Sequence, residues 1–204
     1  MARKRYVFVI VILIIGVVIG YLASSYINKF SKYHMGTKDD NWKIKNAMRA
    51  APESVSKDAT VYDWPDKDGA PLRLLRKGTN KWTCVPDDLH TPRNDPICAD
   101  ENSMMWLDSY MAQKTPKLTQ PGIAYMLQGG SSPSNTDPFA VQPKQGESWM
   151  SEPPHLMIFP TEKLDPKIYS IDPMSGQPWI MYPGTPYEHL MVPVGKMNKE
   201  RMER

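Results

Sequence analysis

The sequence predicts an α+β domain, a mainly antiparallel sheet of about five to seven short strands with one packed helix, preceded by a single N-terminal transmembrane helix. Three observations carry this. Residues 6–28 hold no charge, and 6–23 are almost wholly apolar. All twenty prolines lie from Pro52 onward, which argues against a helical bundle and favours short strands and ordered loops. One stretch, 100–114, repeats apolar residues at helical spacing: Met104, Leu107 and Met111, with Trp106 and Tyr110 beside them.

The first element is the anchor. About twenty apolar residues in a helix cross a hydrocarbon core of roughly 30 Å. Arg3, Lys4 and Arg5 precede the span, and basic flanks stay cytoplasmic. The expected division is a cytoplasmic N-terminus at 1–5, a transmembrane anchor at 6–28, a juxtamembrane linker with a short helix at 29–52, a periplasmic α+β domain at 53–195 and a charged tail at 196–204. A cleaved signal peptide is the rival, but its apolar core runs only about 7–15 residues before a small-residue cleavage site. Gly16 and Gly20 make a GxxxG, a spacing that lets two membrane helices approach. Tyr26, Phe30 and Tyr33 suit the membrane interface.

About 175 residues follow the span, enough for one core. The formal net charge is +3, which the three basic residues at the N-terminus account for. The rest is near neutral, so there is no basic patch of the kind that binds nucleic acid. Cys84 and Cys98 are the two cysteines. In an exoplasmic domain they are expected to form a disulfide. The alternative, both thiolates with His90 on a metal, has no common zinc spacing.

Along the domain, Asp39 or Asp40 caps a short helix that Pro52 ends. Residues 59–62, 72–76 and 81–85 read as strands. Asp66-Lys67-Asp68-Gly69 is a turn rather than a calcium loop, because Leu75 stands where an EF-hand register needs Glu. Residues 86–96 are a loop whose ends the cysteines tie. It carries Asp87, Asp88, Asp95 and His90, which read either as an acid/base cluster or as a solvated loop. Asp100 is the expected N-cap of the helix. Residues 123–127 are a strand. Residues 128–145, with Gly-Gly-Ser-Ser-Pro-Ser-Asn, read as an exposed loop without the Lys-Ser/Thr of a phosphate-binding loop. The strands 155–159, 179–182 and 189–194 complete the sheet.

The most specific chemical feature is the repeat His155-Leu156-Met157 and His189-Leu190-Met191. On a strand, residues i and i+2 share a face. Each tripeptide therefore sets an imidazole beside a thioether. If the strands pair, His155, Met157, His189 and Met191 share one face, a donor set suited to copper. Strand alternation with methionine as core filler gives the same pattern.

The runs LRKGTNKWTC, YMLQGG and PPHLM resemble an uncharacterised family of bacterial exported proteins, chiefly proteobacterial. The resemblance covers roughly residues 45–194. It implies a bacterial cell-envelope location and supplies no catalytic residues. No GxSxG, HExxH or CxxCH is present in the chain. The expected role is a non-catalytic accessory subunit of an inner-membrane complex, its partners being membrane lipid and the other subunits. The alternative is a tethered module binding copper or a small ligand. A copper site needs His155, Met157, His189 and Met191 to converge; a subunit needs an apolar surface covered in the complex.

Overall fold

The computed structural model describes residues 38–65, 67 and 70–196. The cytoplasmic N-terminus, the anchor, the GxxxG and nearly all of the charged tail lie outside these residues. Among the described residues no helix is long and apolar enough to cross a membrane.

The domain is α+β with a mainly antiparallel, mixed sheet. Helix α1 (Asp40–Met48) and the single turn α2 (Glu53–Ser56) come first, followed by β1 (Thr60–Asp63), β2 (Arg73–Arg76), β3 (Thr83–Val85) and β4 (Ile97–Ala99). Helix α3 (Glu101–Met111) leads to β5 (Gly122–Met126), β6 (Gly130–Ser132), β7 (Met150–Glu152), β8 (His155–Phe159), β9 (Trp179–Met181) and β10 (His189–Pro193). Eight strands form one sheet in the order β2-β1-β3-β4-β5-β8-β10-β9, and β6 pairs with β7 apart from it. Among the described strand pairs only β1 and β3 run parallel.

The caps are those the sequence supplies. Asp39 accepts from Trp42 N at 2.7 Å to open α1, and Asp100 accepts from Ser103 N at 2.8 Å to open α3. Asp100 also accepts from Ile123 N at 2.9 Å, so the cap of α3 docks the helix on β5.

Two cores form, one on each face of the sheet. Strand alternation sends Val61, Cys84 and Cys98 to one face, where they pack with Ala47, Ala50, Ala51 and Ala59. The alanines let α1 and the turns after it lie close to the strands. The expected single packed helix is therefore a helix on each face. The other face carries Ala99, Ala124, Met157, Phe159, Met181 and Met191 beneath Trp106 of α3. The sheet also exceeds the expected seven strands. β4 holds only three residues, and its pairing with β3 and β5 comes from long-range contacts.

The two cysteines are directly opposed across β3 and β4 and form a disulfide. The bridge closes a sequence separation of 14 residues and lies beside α1. Removing it with the pair Cys84→Ala and Cys98→Ala is expected to cost about 3 kcal/mol, the chain-entropy value for such a loop. Urea unfolding of the full chain reads this as a lower midpoint at constant slope. An unchanged midpoint would show that the bridge does not constrain the unfolded chain.

Candidate functional site

The His-Leu-Met strands are neighbours. β8 and β10 pair antiparallel with Met191 opposite Met157, Leu190 opposite Ile158 and Pro193 opposite His155. The two thioethers are thus brought together. The same register sets His155 and His189 at opposite ends of the ladder, four residues apart, which is roughly 13 Å at strand rise. Each histidine is instead joined by a methionine from its other neighbour: Met126 of β5 faces His155, and Met181 of β9 faces His189.

Both imidazoles are held the same way. His155 Nδ1 donates to Pro153 O at 2.7 Å, and His189 Nδ1 donates to Tyr187 O at 3.0 Å. Each bond runs to the carbonyl two residues earlier and leaves Nε2 as the acceptor. His155 Nε2 is buried without a hydrogen-bond partner among the described residues. Burial pushes the His189 pKa down to about 4; the Tyr187 carbonyl opposes this, and His155 adds slightly to the fall. Trp106 and Phe159 each lie 5.2 Å from the His189 ring.

Between this sheet face and α3 lies a cavity of about 240 Å³. Its sheet wall includes Met157, Met191, Met181 and His189, and its helix wall includes Trp106, Leu107 and Tyr110. Tyr182 closes one side. It holds a left-handed backbone, φ 56°, which costs a non-glycine residue of order 1 kcal/mol or more. That turn is fixed by Tyr182 N donating to Asn135 O at 2.8 Å, and it lays the Tyr182 ring parallel to Tyr110 at 6.4 Å. Burial raises the pKa of both tyrosines, so both are neutral phenols at physiological pH.

The polar end of the cavity comes from two loops. In the 86–96 loop, Asp95 accepts from Thr91 Oγ1 at 2.6 Å and from Asp88 N at 2.9 Å, while Asp95 N donates to Asp87 Oδ1 at 3.0 Å. Burial, with the Asp87 carboxylate beside it, raises the Asp95 pKa well above the usual range. Asp95 therefore braces the loop through its hydrogen bonds to Thr91, Asp88 and Asp87. Asp88 and His90 pair at 2.8 Å, but the His90 side chain is 93% exposed, well away from the buried carboxyls. The metal alternative with His90 is excluded by the disulfide.

The second contributor is Glu152 on β7. It is 5% exposed, lines the cavity, and accepts from Ser132 Oγ through Oε1 at 2.5 Å. Gly130, opposite Glu152, makes room for it. A Cβ there would lie 3.3 Å from Glu152 Oε2, 3.2 Å from Asp95 Cβ and 3.1 Å from Met126 Cε. The stretch expected as an exposed loop is therefore corrected at its start: residues 130–132 form β6, and Gly130 and Ser131 are buried. Glu152 carries no sequence signal, because it is a lone acid before Pro153-Pro154. Met126 and Met181 were legible only as strand residues.

Nothing matches this chain among family models, curated proteins or solved structures. Among the described residues, no three His, Cys, Asp or Glu side chains gather as a metal-binding group.

The His189 shift predicts a pH dependence. The folded state refuses a proton that the unfolded state takes up near pH 6.5, so stability present above that pH is lost as pH falls towards about 4. The loss is up to about 3 kcal/mol. Asp95 acts with opposite sign: its raised pKa adds stability as pH falls and loses it as pH rises. Comparing the full chain with His189→Gln cancels the Asp95 contribution. The variant is expected to lose less stability than wild type between pH 6.5 and pH 4; equal losses would reject a buried neutral imidazole.

Proposed function

We propose that this chain is a membrane-tethered binding module for a small ligand, held in the cavity between α3 and the β5-β8-β10-β9 half of the sheet. The observation that carries this is Glu152. The residue is 5% exposed, its carboxyl group lines the cavity, and Ser132 holds one of its oxygens, so it is a polar group placed to fix a ligand in an otherwise largely apolar pocket. The tether rests on the uncharged run at 6–28, and the periplasmic placement on the basic N-terminus and the resemblance to exported proteins. The role is one of binding rather than catalysis.

A second reading is the accessory subunit of an inner-membrane complex. It is favoured by three large apolar side chains exposed along one connection: Ile168 at 72%, Ile171 at 54% and Met174 at 78%. Clustered exposed apolar side chains mark protein contacts. The two readings are compatible, since a binding module can be one subunit of an assembly.

One purification tests all of this. The full chain, extracted in mild detergent, is expected to release about one equivalent of a small organic molecule on denaturation, detected by mass spectrometry. Leu107→Trp, which fills the cavity from α3, is expected to release none while retaining a single cooperative melting transition. A wild-type chain with no organic molecule and about one copper ion would replace this reading with metal binding by His189 and the methionines. Stoichiometric membrane proteins in the fraction, with no small molecule, would favour the subunit.

A further inference from the structure

We propose that the cavity's ligand is a small organic ammonium ion, its charged nitrogen at Glu152 and its apolar part against Trp106 and the methionines. This rests on the binding-module reading and names the ligand chemistry that the same site selects.

The charge balance of the wall points this way. Among the described residues no Lys or Arg lines the cavity, whereas Glu152 does. The oxygens of Asp95 are occupied by Thr91 and Asp88. Glu152 forms no ion pair among the described residues, although it is 95% removed from solvent by its 5% exposure. A buried carboxylate is stable when a cation pairs with it. Among the described residues none pairs with Glu152, and the proposal assigns that part to the ligand.

The uncharged wall is neutral in this respect. His189 Nδ1 is committed to Tyr187 O, so its Nε2 offers a lone pair and no proton. The thioethers of Met157 and Met191 are weak acceptors only. The imidazole and thioethers thus offer acceptors, while the Ser103 and Ser131 hydroxyls, which also line the cavity and have no hydrogen-bond partner among the described residues, can donate or accept; the preference for a cation rests on Glu152 alone. Trp106 and Tyr182 both line the cavity and offer apolar ring surface to the hydrocarbon part of the ligand. The volume of about 240 Å³ exceeds what a bare ion needs and falls just under the range of organic-ligand pockets, about 300–1,000 Å³.

The test uses the full chain in a nonionic detergent and two probes of matched shape, 2-phenylethylamine and 2-phenylethanol, titrated calorimetrically. The amine is expected to bind at least about tenfold more tightly, the value of one charge-assisted hydrogen bond. Glu152→Gln is expected to bring the two probes to equal affinity. Ser132→Ala, which removes the hydroxyl on Oε1 but keeps the carboxyl, is expected to retain the preference for amine. Equal binding of both probes by wild type would overturn the ammonium inference and leave the cavity reading standing. Binding of neither probe, with Leu107→Trp indistinguishable from wild type, would overturn both. Because the amine-to-alcohol ratio is read on wild type, a Glu152→Gln chain that fails to fold does not rescue the proposal.

Discussion

The cavity depends on one buried amide. Asn46, on α1, donates to Asn94 Oδ1 at 2.8 Å and accepts from Asp87 N at 2.8 Å. It thereby grips both ends of the 86–96 loop from a helix on the far face of the sheet. Asp87 and Asp95 then close the loop on itself. A loop with buried backbone and carboxyl groups persists only when those groups are hydrogen-bonded. Here one asparagine provides two of those bonds at once. The pocket's polar end is therefore held in place by a residue on the other side of the sheet.

The sheet was partly legible in the chain because alternation is a local property. His155, Met157 and Phe159 face one side while Leu156 and Ile158 face the other, as their spacing requires. The helix at 101–111 was legible from its cap and its apolar repeat. What the sequence did not show depended on pairing. Ile97-Cys98-Ala99 is too short between Pro96 and Asp100 to signal a strand, and it becomes one because β3 and β5 lie on either side. Gly130-Ser131-Ser132 has turn composition, yet β7 pairs with it and makes it a wall.

The candidate site shows the same division. The repeated tripeptide correctly drew attention to a face with paired thioethers. Its antiparallel register could not be read from either strand alone, and register decides which side chains meet. Glu152 had no pattern to betray it. Its importance comes from Gly130 opposite, from Ser132 beside it and from a cavity wall without Lys or Arg among the described residues, none of which is a property of its own segment. The acid cluster at Asp87, Asp88 and Asp95 was visible in composition, but burial divided it into a buried pair and the half-buried Asp88.

The strand order has a consequence for how the domain comes into being. β5 pairs with β8, and β8 with β10, so the half of the sheet bearing the cavity is assembled from segments far apart in the chain. Leu127 N reaches back to Ala50 O, and Gln128 Nε2 to Arg49 O, joining this half to the N-terminal helices. Contacts at such separation must wait for loop closure, and folds built on them form in milliseconds to seconds rather than microseconds. Until β10 arrives, β8 presents an open apolar edge. A chain that folds in this way is exposed to mispairing for as long as its last strands are missing.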